Sequence, residues 1–107
     1  MINRLERLRL MAAERPDDAF TLFALAKELE KSGNLAESLQ VYSQIAEKQP
    51  GYTGTYYHWG KLLEALEMED KALAVYETGM EVAKRNGDQH ALAELSNAAQ
   101  NLRMEMM

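Results

Sequence analysis

The chain has 107 residues, seventeen Asp and Glu against twelve Lys and Arg, and no cysteine. Disulfides, thiol catalysis and thiolate zinc sites are therefore excluded. Two prolines, six glycines and an abundance of Ala, Leu, Glu, Lys and Met favour helix over strand, because these side chains lose little rotamer freedom in a helix. The formal charge of −5 is unevenly spread: residues 1–15 hold four Arg and two Glu, and the rest hold eight basic and fifteen acidic groups. One short Arg-bearing helix is not the broad positive face that phosphate neutralisation requires, so nucleic acid is not an expected partner. The N-terminus alternates charged and apolar residues and builds no apolar run of membrane or signal-peptide length. No membrane contact and a cytoplasmic location are the corresponding expectations.

Residues 2–14 place Leu5, Leu8 and Ala12 at steps of three and four, the pattern of an amphipathic helix ended by Pro16. Asp17 and Asp18 offer an N-cap to a second helix reaching about Ser32, with Leu22, Leu25, Ala26 and Leu29 as its core stripe. Gly33-Asn34 turns the chain into a third helix over 35–48, with Leu39, Tyr42, Ile45 and Ala46 inward, before Pro50-Gly51. A fourth helix over 53–66 directs Tyr56, Trp59, Gly60 and Leu63 inward, and a fifth over 69–85 does so with Ala72, Leu73, Tyr76 and Met80. Glu67 stands where the first turn has glycine, which costs about 1 kcal/mol if left-handed angles are still needed there. Asn86-Gly87 and Asp88 close the fifth helix and start a sixth over 88–104, with Leu92, Leu95, Ala99 and Leu102 on one face.

An offset of 34 residues lays Tyr56 on Leu22, Gly60 on Ala26, Lys61 on Lys27, Leu63 on Leu29, Glu64 on Glu30, Val75 on Val41 and Tyr76 on Tyr42. Pro16 precedes Pro50 by the same interval, which makes the first helix the counterpart of the third. A fixed period of this size marks units that need a neighbour to cover their apolar faces. The chain is thus a single domain over 1–107: a half-unit helix at 1–15, repeats at 17–50 and 53–86, and a capping helix at 88–104.

In these residues the sequence resembles the tetratricopeptide repeat family, whose unit is a 34-residue helix–turn–helix. Tyr56, Trp59, Gly60, Leu63, Ala72, Tyr76 and Gly79 carry the resemblance in one unit, and Leu22, Leu25, Ala26, Leu29, Ser38, Tyr42, Ile45 and Pro50 in the other. Lys84 departs from the pattern where a second closing proline would stand. The resemblance implies an all-α, right-handed superhelix of about six helices arranged as antiparallel hairpins. It also implies a protein-interaction module, without enzymatic activity or cofactor, that binds a peptide or protein segment in a groove lined by the first helix of each pair. The groove-facing residues would be Phe20, Phe23, Lys27 and Glu30 from one unit, and Tyr57, His58, Lys61 and Glu64 from the next. Phe23 with Tyr57 and Lys27 with Lys61 suit an apolar anchor beside an acidic group. The alternative is that the aromatics are partly core and the lysines, spaced i,i+3 from Glu30 and Glu64, only solvate and stabilise their helices. Ala24 and His58 occupy positions where a carboxylate-gripping member would have asparagines, so that specificity is not carried over.

The chemistry of catalysis is absent from the motifs: there is no phosphate loop, nucleophile elbow or metalloprotease pair. His90 and Glu94 share an i,i+4 spacing but are two ligands only, and no metal is expected. A monomer is favoured. The competing class is a homodimer formed through the C-terminal helix, with Leu92, Leu95, Leu102 and Met106 as its seam.

Overall fold

The computed structural model describes residues 1–107. Six helices follow one another with no strand: α1 (Arg4–Glu14), α2 (Ala19–Lys31), α3 (Leu35–Lys48), α4 (Gly54–Ala65), α5 (Glu69–Asn86) and α6 (Gln89–Glu105). They form two compact units, Met1–Gln49 and Pro50–Met107.

In the first unit α1 and α3 both pack on α2. Asn3 starts α1 by accepting the Glu6 amide at 2.8 Å, and the helix ends at Arg15, ahead of Pro16. Asp18 sits at the N-cap of α2, yet its carboxylate bonds no helix amide; it accepts the Thr21 hydroxyl instead. The core is Leu8, Leu22, Leu25, Ala26, Leu29, Val41, Tyr42 and Ile45. The expected stripe of α2 is buried in full, but that of α3 is rotated. Ser38 and Val41 are buried, whereas Leu39 and Ala46 are half-buried. The rotation is possible because the Ser38 hydroxyl donates to the Ala26 carbonyl at 2.8 Å, so a polar group enters the core already paired. At the far end of α3, the Lys48 ammonium donates to the Pro16 carbonyl and the Gln49 amide to that of Asp17, closing the unit.

The second unit is built on α5, which packs against both α4 and α6, with a smaller α4–α6 contact. Gly79 makes this three-way approach possible: a Cβ there would lie 2.5 Å from the Tyr56 Cβ and 3.0 Å from Leu95. The segment before α4 is tied back by the Tyr56 hydroxyl on the Pro50 carbonyl at 2.6 Å and by Asn86 on the Gly51 carbonyl at 3.0 Å. With Lys84 in place of a closing proline, α5 runs on through that position to Asn86, 18 residues against 14 in α3. Asp88 caps α6, accepting from the Ala91 amide at 3.0 Å and the Thr53 hydroxyl at 2.9 Å. These bonds favour the charged form and hold its carboxyl below the usual range. Trp59, Leu73 and Met80, expected inward, are half-buried. In α6, Leu95 and Leu102 lie inside their own unit at 0% and 1% exposure, so two of the four residues expected in a dimer seam are not on the surface.

All three hairpin turns have one geometry. Asn34 N–H reaches the Leu29 carbonyl at 2.8 Å, Met68 N–H the Leu63 carbonyl at 2.9 Å and Asp88 N–H the Ala83 carbonyl at 2.9 Å. Each turn contains a residue at positive φ: Gly33 at 85°, Glu67 at 60° and Gly87 at 68°. The strain expected at Glu67 is therefore present, while Asn34 keeps a negative φ of −86°.

Candidate functional site

The period of 34 residues reappears as a repeated three-residue constellation. In the first unit, Lys27 on α2 pairs with Glu30 at 3.2 Å, and the Tyr42 hydroxyl on α3 donates to the same Glu30 oxygen at 3.1 Å. In the second, Lys61 on α4 pairs with Glu64 at 3.8 Å and the Tyr76 hydroxyl donates to that carboxylate. An i,i+3 step brings lysine and glutamate to one helix flank, and the fully buried tyrosine ring reaches across the hairpin to fix the acid. Burial pushes both phenols well above their ordinary range, and the glutamate charge and hydrogen bond add to the shift. Tyr56 is raised by burial too, with Arg85 acting in the opposite sense.

The expected site residues divide by surroundings. Phe20, Phe23, Lys27 and Glu30 come together, with Arg4, Ala24, Glu28 and Lys31, around an open concavity of about 670 Å³ in the first unit. Phe20 is 71% exposed at the start of α2. Phe23 is half-buried, its ring centroid 6.2 Å from that of Tyr42, so it is partly core and partly surface. In the second unit Tyr57 and His58 are half-buried and meet edge to face at 5.4 Å, and Lys61 is exposed. Glu30 and Glu64 are turned toward their tyrosines and lysines, which makes them local clamps as much as surface acids.

Arg4 and Lys31 escaped the sequence reading. Arg4 reaches the site from α1 and pairs with Glu28 at 3.7 Å, a contact between helices that no local spacing announces. Lys31 could have been found from its place four residues beyond Lys27 on the same flank of α2. No group of three or more His, Asp and Glu side chains is gathered so as to hold a metal. No helix is long and apolar enough to cross a membrane.

Helical hairpins with a repeated buried tyrosine and a shared turn define a helical-repeat protein. No family model matches the chain, and no curated protein matches it. Solved structures do. A tetratricopeptide repeat domain protein from Salinibacter ruber is 42% identical by its solution structure, over 81% of this chain and 88% of that one, with a TM-score of 0.78. A crystal structure from the same organism gives 42% identity, 80% and 96% coverage and a TM-score of 0.76. A protein from Bordetella parapertussis is 26% identical over 98% of this chain and 91% of its own, at a TM-score of 0.82. In fold alone, at 16% identity and a TM-score of 0.86, the chain is similar to the TPR2B domain of yeast Sti1 in its complex with pHsp70, covering 94% of this chain and 81% of that one. The chain belongs to the tetratricopeptide repeat family.

Proposed function

We propose that this chain is a protein-interaction module that binds a peptide or protein segment through the exposed faces of its two first helices, α2 and α4. The observation carrying the reading is selective repetition. At an offset of 34, Phe23 and Lys27 correspond to Tyr57 and Lys61, a half-exposed aromatic one turn from an exposed lysine in both helices. The surface positions around them change: Phe20 corresponds to Gly54, Ala24 to His58 and Lys31 to Ala65. Aromatic faces offer large contact area at low entropy cost, and ammonium groups favour an acidic neighbour. The similar domain of Sti1 is itself in a complex with pHsp70, which supports binding as the general role.

The test is affinity capture by the full chain compared with the Lys27→Glu/Lys61→Glu double variant and with Phe23→Ala. Loss of retained protein with the helical signal intact is expected, and unchanged retention by the double variant defeats the reading. Light scattering across a concentration series addresses the homodimer alternative, for which Leu92, half-buried, and Met106, at 39% exposure, remain on the proposed seam. A fixed monomer mass is expected.

A further inference from the structure

We propose that the open side of the α1–α2 pair receives an amphipathic helix with an acidic flank from a partner protein. The proposal rests on the protein-binding reading above and narrows it to the first unit.

Pro16 and Pro50 set α1 in register with α3. In that register Ser38, Val41 and Ile45 of α3 correspond to Arg4, Arg7 and Met11 of α1. α3 buries its three residues to 0%, 6% and 0% exposure in its pairing with α2. In α1 the Arg4 side chain is 65% exposed, Met11 is 38% exposed and Arg7 is exposed. Only α2 packs on α1, and the flank that carries Arg4, Arg7 and Met11 is open in this structure. Beside that flank lies the concavity of the unit, where Phe20, Ala24, Lys27 and Lys31 follow one another along α2 at steps of four, three and four. Two helix flanks with an open trough between them fit a third helix, whose ridge of side chains packs into such a groove.

Charge selects the occupant. Of the carboxylates around the trough, Glu28 is taken by Arg4 and Glu30 by Lys27 and the Tyr42 hydroxyl. Arg7, Arg15 and Lys31 make no ion pair, and they outnumber the two unpaired acids of α1, Glu6 and Glu14. The surplus is positive, and exposed apolar side chains accompany it, Phe20 at the concavity and Leu10 and Met11 on α1. A helix carrying leucine-like anchors on one stripe and carboxylates beside it complements both features.

The probe is a labelled synthetic peptide of about 18 residues, long enough to form helix, with leucines at steps of three and four and glutamates elsewhere. It is titrated with the full chain and read by fluorescence anisotropy. The same peptide with lysine for glutamate, and one broken by two central prolines, are the comparisons. Binding of the acidic helix that weakens with salt is expected, with about tenfold loss in the Arg7→Glu/Lys31→Glu variant and a several-fold loss on Phe20→Ala. Lys71→Glu, an exposed site on α5, should leave the affinity unchanged. All the substituted side chains are exposed, and circular dichroism checks that helix content is kept. Absent binding, equal binding of the basic or proline-broken peptide, or an equal loss on Lys71→Glu would each overturn the proposal. So would a concentration-dependent dimer abolished by Phe20→Glu, which would assign the trough to a second copy. Partner capture that survives Arg7→Glu/Lys31→Glu but is lost in Lys27→Glu/Lys61→Glu would sink this inference and leave the general reading standing.

Discussion

The hairpins α2–α3 and α4–α5 reach one architecture by different local solutions, and the differences show where the repeat is tolerant. Where α2 meets α3, Ala26 sits against Ser38, whose hydroxyl bonds the Ala26 carbonyl. Where α4 meets α5, those residues become Gly60 and Ala72, and the Tyr76 ring takes the space a Cβ would fill. Thr21 is satisfied by Asp18, whereas its counterpart Thr55 is fully buried with its hydroxyl unbonded, because Tyr52 replaces the aspartate. One turn carries glycine at positive φ and the other carries glutamate. The shared Tyr–Glu–Lys constellation persists through these changes. The hairpin is therefore specified by the tyrosine and its carboxylate, and each small-residue contact is adjusted to suit.

Substitutions that exchange the two solutions test this contrast. The largest effect is expected at Gly60→Ala, because its Cβ would come within 2.2 Å of the fully buried Tyr76 ring. A loss of about 1–3 kcal/mol in urea melts follows from overpacking, against a loss of at most about 1 kcal/mol for Ala26→Gly. Equal stability of Gly60→Ala and the parent would mean that Tyr76 is free to move. Next come Tyr42→Phe and Tyr76→Phe, each expected to lower stability by about 1–2 kcal/mol through loss of a bond to a charged acceptor. The same phenols predict an alkaline limb. Their folded values lie above the ordinary 10.0, so their contribution is complete below that pH and declines above it, as the unfolded chain ionises first. Unfolding midpoints should fall above about pH 10, with the fall reduced in the Tyr42→Phe/Tyr76→Phe double variant; an unchanged slope would show that these rings are not the groups responsible.

Glu67→Gly should raise stability by about 1 kcal/mol by relieving left-handed backbone, and Gly33→Glu should lower it by a similar amount. The smallest contrast concerns the two threonines. Thr55→Val should be neutral or slightly stabilising, because no hydrogen bond is lost, whereas Thr21→Val should cost about 1 kcal/mol. Matching thermal shifts for the two would erase the distinction drawn between them.

The helices, their order and the family were legible because apolar spacing, turn residues and a 34-residue offset are properties of neighbouring positions. The α2 stripe and the α3 bounds emerged as expected, and Glu67 carried its strain where the missing glycine indicated. Local signals were least reliable at edges and flanks. Asp18 matched a capping pattern and bonded a side chain instead, and Leu39 yielded its inward place to Ser38 and Val41. Helical periodicity gives the width of an apolar face, but a rotation of one residue depends on what the opposite helix presents.

Sequence alone therefore determined the all-helical class, the repeat and the tyrosines at its centre, since burying an apolar face is dictated by composition and period. Tertiary structure decided which charges are already taken. Glu30 and Glu64 are held by a tyrosine from the next helix, Glu28 by an arginine from the previous one, and Arg7 and Lys31 are left without an ion pair. That outcome depends on side chains from different helices arriving within hydrogen-bond reach, a matter of packing to which no spacing along a single helix gives access.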